Sequence, residues 1–187
     1  MGDNGRMTTL CNIAASLPRL ARERPDQIAI RCPGGRGANG MAAYDVTLSY
    51  AELDARSDAI AAGLALHGIG RGVRAVVMVR PSPEFFLLMF ALFKAGAVPV
   101  LVDPGIDKRA LKQCLDEAQP QAFIGIPLAQ LARRLLRWAR SATQIVTVGG
   151  RYGWGGVTLA RVERDGAGAG SQLADTAADD VAAILFT

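Results

Sequence analysis

Histidine and cysteine are scarce in this 187-residue chain. His67 is the only histidine, which is too few for most zinc sites. The three cysteines, Cys11, Cys32 and Cys114, are widely separated and form no C-x-x-C pair. An odd number of scattered cysteines is typical of a reducing compartment rather than of a disulfide scaffold. We therefore expect neither a structural disulfide nor a metal site.

Long hydrophobic runs are also missing. The longest uninterrupted run, residues 85–93, is about half of what a membrane-spanning helix needs, and Lys94 ends it. The amino terminus does not resemble a signal peptide, because Arg6 is followed by Met7 and two threonines and Asn12 interrupts any apolar core. The sequence thus predicts no transmembrane segment and a cytoplasmic location.

Apolar residues make up half of the chain and charged residues only a fifth, which indicates a folded domain rather than disorder. The net charge of +4 would suit an acidic partner, but the arginines are spread along the chain. Nucleic-acid binding would require interleaved aromatic residues or a known module, and the sequence has neither. We expect no nucleic-acid partner.

Apolar strands alternate with helices through the middle of the chain. Strands are predicted at residues 75–79, 98–102, 121–126 and 144–148, and helices at 84–95, 107–118 and 128–140. Strands that are apolar on both faces and separated by single helices are typical of a parallel sheet with right-handed crossovers. The predicted fold class is therefore α/β, with a layered, mostly parallel sheet and helices on both faces.

The flanking segments have a different pattern. A mobile start is expected at residues 1–9, and then a helical pattern at 10–22 that Pro18 kinks or divides into two short helices. Strands are predicted at 26–32 and 46–49, around a loop-rich segment at 33–45. Ser49 and Glu52 form a capping box at the start of the next helix. A second loop-rich segment is expected at 149–178.

Five residues of that second segment, 166–170, alternate glycine with alanine. No strong strand precedes them, no lysine follows and no helix clearly opens behind them. We interpret them as a flexible linker rather than a phosphate-binding loop.

Residues 93–105 run from the end of a buried helix into a strand and a turn. Lys94 stands where the free carbonyls of the last helical turn favour a cation, and Gly96 can end the helix in a left-handed conformation. Asp103 then begins an Asp-Pro-Gly turn at the carboxyl end of the strand, where open α/β sheets bind ligands. A turn cap is favoured over a catalytic role, because aspartate side chains bond to the backbone amides that follow them.

An aromatic cluster and the single histidine are two further candidates for a function. Phe85, Phe86, Met89 and Phe90 could line an acyl pocket, although core packing is the default for such a helix in a parallel sheet. His67 lies at a helix end with no acidic or thiol partner near it in the sequence, which argues against catalysis.

Four arginines occupy the predicted helix 128–140. Its apolar residues are expected to face the sheet: Leu128, Leu131, Leu135 and Trp138. The arginines expected to face away are Arg133, Arg137 and Arg140, with Arg134 on the flank. A solvated helix face is the simplest interpretation, and docking on a partner protein or an anionic membrane surface is the alternative.

Three segments, in the expected order, resemble core motifs of the adenylate-forming superfamily, which includes acyl-CoA synthetases and peptide-synthetase adenylation domains. They are L-S-Y-A-E-L at residues 48–53, F-K-A-G-A-V-P-V-L-V-D-P at 93–104 and I-L-F-T at 184–187. The resemblance implies that residues 1–187 are the first part of the large amino-terminal domain of that fold. It also implies ATP and Mg²⁺ as cofactors and a glycine-rich phosphate loop that begins at Thr187.

Residues 98–127 look most like the olefin-biosynthesis branch of that superfamily, the β-lactone synthetases. The resemblance implies activation of a long-chain 2-alkyl-3-hydroxy acid as an acyl adenylate, followed by closure to a β-lactone with release of AMP. Other enzymes of the same olefin pathway would then be potential partners. The same resemblance implies that the catalytic residues lie outside residues 1–187, so we expect this segment to form no AMP by itself.

Two alternatives remain open at this point. One is a fatty acyl-CoA or acyl-AMP ligase, which would share the adenylation step. The other is a non-catalytic α/β binding or scaffold domain that uses the arginine-bearing helix as a docking face. A Rossmann oxidoreductase is disfavoured, because no glycine fingerprint follows an early strand.

Overall fold

The computed structural model describes residues 11–36, 41–103, 105–150, 153 and 155–187. A 3₁₀ turn at Ile13–Ser16 precedes the first α-helix. The helices are α1 (Leu17–Glu23), α2 (Tyr50–Leu66), α3 (Pro83–Lys94), α4 (Lys108–Ala118), α5 (Pro127–Leu136) and α6 (Leu159–Asp165). The strands are β1 (Ile28–Cys32), β2 (Gly35–Arg36), β3 (Ala42–Ala43), β4 (Val46–Ser49), β5 (Arg74–Met78), β6 (Val98–Val102), β7 (Ala122–Gly125), β8 (Gln144–Thr147), β9 (Val157–Thr158) and β10 (Ile184–Phe186).

Six parallel strands form the central sheet, in the order β10-β6-β5-β7-β8-β9. All of the strands predicted between residues 75 and 148 belong to it, and helices pack on both faces. The predicted α/β fold class is confirmed. The chain adds β6 on one side of β5 and β7 to β9 on the other, and β10 then returns to pair with β6.

Two hydrophobic cores lie on opposite faces of this sheet, because successive strand residues point in opposite directions. Ala75 and Val77 of β5 pack with residues of α2, α3 and α6, whereas Val76 between them packs with residues of α4 and α5. Both faces of the strand are therefore buried, which explains why the strand sequences are apolar throughout.

The amino-terminal segment packs against the core that contains α2 and α3. Pro18 occupies the first turn of α1, directly after the 3₁₀ turn, so the predicted division into two short helices is confirmed. β1 and β4, which match the two strands predicted in this segment, pair antiparallel. The capping box is present: the Ser49 hydroxyl accepts from the Glu52 N–H at 3.2 Å, and the Glu52 carboxylate accepts from the Ser49 N–H at 2.8 Å.

Some predicted features fall on residues outside the described part of the chain. These are the mobile start at 1–9, residues 37–40 of the loop-rich segment 33–45, and Pro104 of the Asp-Pro-Gly turn. On the described flanks of that first loop-rich segment, β2 and β3 form a small antiparallel pair.

Two elements differ from the sequence predictions. Helix α5 ends at Leu136 rather than at residue 140, because Arg137 takes the left-handed conformation with φ at 55°. The segment 149–178, expected to be loop-rich, contains β9 and α6. Thr158 caps α6 through its hydroxyl, and Leu159 and Val162 are buried against the core.

Helices α2 and α6 touch through two glycines. A Cβ placed on Gly63 would lie 1.9 Å from the carbonyl oxygen of Val162, and one on Gly166 would lie 2.0 Å from that of Ala59. Gly166 is buried and ends α6. The interpretation of residues 166–170 as a flexible linker is therefore wrong at Gly166, whereas residues 167–170 are exposed.

Candidate functional site

The carboxyl ends of β6 and β10 meet at one edge of the sheet. In the parallel register Phe186 lies opposite Val102, and the Asp103 N–H donates to the Phe186 carbonyl at 3.1 Å. The residue that follows β10 is Thr187, which lies at this edge. Asp103 and Thr187 are thus brought side by side, at the end of a parallel sheet where α/β folds bind ligands.

The Asp103 side chain shapes the turn at this edge. Its Oδ1 accepts from the Gly105 N–H at 2.6 Å, and its carbonyl accepts from the Ile106 N–H at 3.1 Å. These contacts confirm the turn-cap interpretation of Asp103. The carboxylate fixes the backbone beside Thr187, and the next helix, α4, begins just beyond it with Asp107 as its cap.

Lys94 does not bind the free carbonyls of the last helical turn, as the sequence suggested, but reaches across to α2. Its side chain is fully buried, and its Nζ donates to Asp54 Oδ1 at 2.6 Å, to the Asp54 carbonyl at 2.9 Å and to Asp58 Oδ1 at 2.7 Å. All three ammonium donors are therefore satisfied. Asp58 also accepts from the Gln172 N–H at 3.0 Å, so this lysine links α3, α2 and the segment before β10.

Asp54 and Asp58 were not among the residues predicted from the sequence. A signal was present, because they are four residues apart on a helix that also carries the buried residues Leu53 and Ser57. Two aspartates at that spacing beside a buried stripe need a cation, and the helix that supplies it is distant in the sequence.

The candidate acyl-pocket residues divide between two environments. Phe85 and Phe90 are partly buried and pack on the larger core, as the core-packing interpretation expects. Phe86 stacks edge-to-face on Phe85 with ring centroids 5.5 Å apart, and both Phe86 and Met89 are half-buried. Their role in an acyl pocket remains a prediction.

His67 has an acidic partner that sequence distance concealed. Its Nε2 lies 2.9 Å from Oδ2 of Asp165, 98 residues away on α6. Arg161 Nε donates to Oδ1 of the same carboxylate at 2.6 Å, and the bonds from His67 and Arg161 lower the pKa of Asp165. His67 also lines a cavity of about 180 Å³ with Gln144. Gln144 begins β8, so this pair lies at the amino edge of the sheet, opposite Asp103 and Thr187.

Helix α5 is rotated relative to the sequence prediction. The expected inward leucines, Leu128, Leu131 and Leu135, are 63%, 37% and 72% exposed. Gln130 is fully buried instead and donates to the Val146 carbonyl at 3.0 Å. The prediction of a leucine stripe against the sheet is therefore wrong for these three residues, although Trp138, beyond the helix, is buried.

Arg133 faces the sheet rather than solvent. Its guanidinium carbon lies 5.6 Å from the centroid of the Phe123 ring, and its Nε donates to Gln130 at 3.3 Å. Burial and, to a lesser extent, Arg134 lower its pKa. Its predicted outward orientation is wrong, whereas Arg137 and Arg140 are exposed as predicted.

The described part of the chain has neither a cluster of metal ligands nor a helix that could span a membrane. No group of three or more histidine, cysteine, aspartate or glutamate residues there could hold a metal ion. None of the helices within it is long and apolar enough to cross a membrane. Cys11, Cys32 and Cys114 are all free thiols, and burial, together with the nearby Glu84, raises the pKa of Cys32.

The parallel sheet and its carboxyl edge agree with a family match over most of the chain. Residues 17–187 match the family described as AMP-binding enzyme. The chain belongs to this AMP-binding enzyme family.

Two relatives are similar over nearly the whole chain. It is 99% identical over 187 residues to an olefin beta-lactone synthetase of Xanthomonas campestris pv. campestris, covering 100% of this chain and 34% of the relative. It is 78% identical over 182 residues to an olefin beta-lactone synthetase of Stenotrophomonas maltophilia, covering 97% of this chain and 33% of that protein. The chain therefore spans about a third of the length of these relatives.

Solved structures share the fold at lower identity. A long-chain-fatty-acid-CoA ligase from Archaeoglobus fulgidus superposes with a TM-score of 0.78 at 17% identity, covering 100% of this chain and 36% of that one. The apo structure of MbtA from Mycobacterium smegmatis superposes with a TM-score of 0.71 at 29% identity, covering 95% of this chain and 31% of that one. The expected amino-terminal part of the adenylate-forming fold is confirmed.

Proposed function

We propose that these residues belong to an ATP-dependent β-lactone synthetase acting on a long-chain 2-alkyl-3-hydroxy acid. The observation that carries the proposal is the 99% identity, over the whole of this chain, to the olefin beta-lactone synthetase of Xanthomonas. Membership of the AMP-binding family supports the adenylation step. A cytoplasmic enzyme that works beside other enzymes of an olefin pathway is part of the same proposal.

The proposed reaction has two steps, adenylation of the substrate and closure of the ring. A carboxylate oxygen of the substrate attacks the α-phosphorus of ATP, forming the acyl adenylate and releasing diphosphate. The 3-hydroxyl oxygen then attacks the activated carbonyl carbon and loses its proton. The bond between that carbon and the bridging oxygen breaks, AMP leaves with this oxygen, and the four-membered lactone is formed. Positioning and electrostatic stabilisation would supply most of the rate.

Within this chain, Thr187 is the residue we assign to the nucleotide. It follows the carboxyl end of β10, beside the turn that Asp103 holds. A hydroxyl at such an edge can donate a hydrogen bond to a phosphate oxygen. Mg²⁺, when bound with ATP, would neutralise phosphate charge, and magnesium commonly relies on substrate phosphates for much of its coordination.

For the acyl chain we propose the aromatic end of α3, the residues Phe85, Phe86, Met89 and Phe90. Phe86 and Met89 are the better candidates for direct contact, because Phe85 and Phe90 already pack on the core. Half-buried apolar side chains on a rigid helix suit a long alkyl group.

Incubation of the full-length protein with ATP and a 2-alkyl-3-hydroxy acid, with and without coenzyme A, tests this proposal. We expect a β-lactone and AMP in both reactions, because the attacking hydroxyl belongs to the substrate. A thioester that forms only with coenzyme A would overturn the proposal in favour of an acyl-CoA ligase. Turnover of neither ATP nor acid would favour a non-catalytic domain.

A further inference from the structure

An apolar strip on α5 faces away from the sheet. We define the α5 surface as Leu128, Leu131, Leu135 and Arg134 of the helix, together with Arg137 and Arg140 just beyond its end. The three leucines recur at intervals of three and four residues, which places them on one side of the helix. Their exposed fractions are 63%, 37% and 72%. Aligned exposed leucines are unfavourable in water and mark contact sites.

The orientation of this surface is fixed by the contacts on the opposite side of α5. Gln130 is buried and bonded to Val146, and Arg133 lies over the Phe123 ring. Ala129 and Ala132 pack on the same core. Turning the leucines inward would break these contacts and leave the buried amide of Gln130 without its acceptor.

The sequence that carries these leucines has charge of one sign. Between residues 118 and 162 the sequence contains no aspartate, glutamate or lysine, but it contains Arg133, Arg134, Arg137, Arg140, Arg151 and Arg161. The arginines of the α5 surface are exposed, and none of them takes part in the ion pairs found among the described residues. Among the residues that the structure describes, Arg134 makes one long bond, 3.4 Å, to the Gly153 carbonyl.

We infer that the α5 surface docks on an anionic lipid bilayer. Leucines on one side of a helix can enter the boundary between headgroups and acyl chains, and arginines beside them can bind lipid phosphates. Each basic residue near a negatively charged leaflet strengthens binding, and salt weakens it. A protein partner would need an apolar groove for the leucines with acidic residues around it for the arginines. An anionic bilayer provides negative headgroups and an apolar interior across its whole surface. The inference does not depend on the proposed substrate.

Cosedimentation of the full-length protein with lipid vesicles tests the inference. One set of vesicles is pure phosphatidylcholine and the other contains about 30% phosphatidylglycerol. We expect binding to the anionic vesicles that weakens as salt is added, and little binding to the neutral ones. Binding to neither set, or equally to both, overturns the inference.

Two variants assign the binding to this surface. The triple substitution Arg134→Gln, Arg137→Gln and Arg140→Gln should weaken binding to anionic vesicles at least about tenfold. The matched control is Arg22→Gln, Arg24→Gln and Arg31→Gln, which removes the same charge from exposed positions elsewhere and should have a much smaller effect. Equal losses in the two triple variants would contradict a specific surface.

The leucines are tested by Leu128→Ser and Leu135→Ser together. We expect weaker vesicle binding with an unchanged melting temperature, because both side chains are exposed. A large fall in melting temperature would show that these leucines are covered by other parts of the full-length protein, which overturns the inference. Conversion of a dimer to a monomer by the same variant would assign the surface to a second copy instead.

Discussion

Lys94 is a cation without access to solvent, held between Asp54 and Asp58. A buried charge is tolerated only where partners satisfy it, and three oxygens satisfy this one at 2.6 to 2.9 Å. The backbone carbonyl of Lys94 also accepts a hydrogen bond from the Ala174 N–H, at 2.7 Å. At the scale of single residues, this lysine joins the buried helices to the segment that leads into β10.

Replacing Lys94 with methionine should strongly destabilise the protein. The side chain keeps much of its length, but two aspartates lose their buried cation, and breaking a buried pair costs about 3–5 kcal/mol. Thermal unfolding of the full-length variant should therefore begin well below that of the parent. An unchanged melting temperature would contradict the assigned role.

Lys112→Met is the matched control for that substitution. Lys112 pairs with Asp116 on α4, and both side chains are nearly half exposed. Exposed pairs at this spacing contribute about 0–1 kcal/mol, so the control should melt close to the parent. Similar losses in both variants would mean that removal of charge, rather than burial of the partners, is responsible.

Asp165 gives stability a dependence on pH. Its pKa is lowered chiefly by the bond from His67 and then by that from Arg161, so the folded state favours the ionised form. The contribution is present above the ordinary aspartate pKa, about 3.9, and is lost as the pH falls through the lowered value. Asp165→Asn should therefore melt below the parent at about pH 5 and approach it in stronger acid.

Melting temperatures of the two proteins from about pH 5 to about pH 2.5 check this expectation. Asp179→Asn, which removes a carboxylate from another exposed position, serves as the comparison. If the gap between the parent and Asp165→Asn widened in acid, the expected sign of the pH dependence would be wrong.

Single residues show where sequence reasoning succeeds. The turn-cap role of Asp103 was predictable, because its partner is only two residues away. The partners of Lys94 and His67 were not, because they lie 40 and 98 residues away in the sequence and come together only in the folded structure. Local contacts can be derived from local chemistry, whereas distant pairs need the fold.

At the scale of whole elements, the contact between α2 and α6 depends on the absence of a side chain at Gly63. Gly63→Ala would place a Cβ 1.9 Å from the Val162 carbonyl oxygen, so the helices must separate. Overpacking of this kind costs about 1–3 kcal/mol. We expect a lower melting temperature for the full-length variant.

Gly70→Ala is the control for the helix contact. A Cβ at Gly70 meets nothing within 4 Å, and its backbone does not require glycine. Alanine at such a site changes stability little or raises it, by about 0.4–1 kcal/mol. If Gly63→Ala behaved like Gly70→Ala, the close approach of α2 and α6 would be disproved.

Helix α5 shows why amphipathicity alone misplaced an element. Its leucines form an apolar stripe, and the usual rule turns such a stripe towards the core. The structure instead buries Gln130 and packs small, partly buried alanines against the core. The Gln130 amide donates to the Val146 carbonyl, and the small alanines let the helix lie close to the sheet. Periodicity predicted the helix, but the choice of face depended on a hydrogen bond across the sheet.

At the scale of the whole molecule, the alternation of strands and helices between residues 74 and 148 predicted a parallel sheet. It did not determine the strand order, which depends on how β6 and β7 flank β5 and on the return of β10. That return places Thr187 beside Asp103. The edge that we propose for the nucleotide thus has one residue that a motif indicated and one that local turn chemistry indicated.

The proposed reaction requires the full-length protein to activate the substrate carboxylate with ATP before the 3-hydroxyl closes the ring. A substrate with ¹⁸O in both carboxylate oxygens tests this order, with mass spectrometry of the two products. We expect one labelled oxygen in AMP and one in the β-lactone, because the bond between the carbonyl carbon and the adenylate oxygen breaks. Two labelled oxygens in the lactone and none in AMP would show activation of the hydroxyl instead, and the proposed mechanism would be wrong.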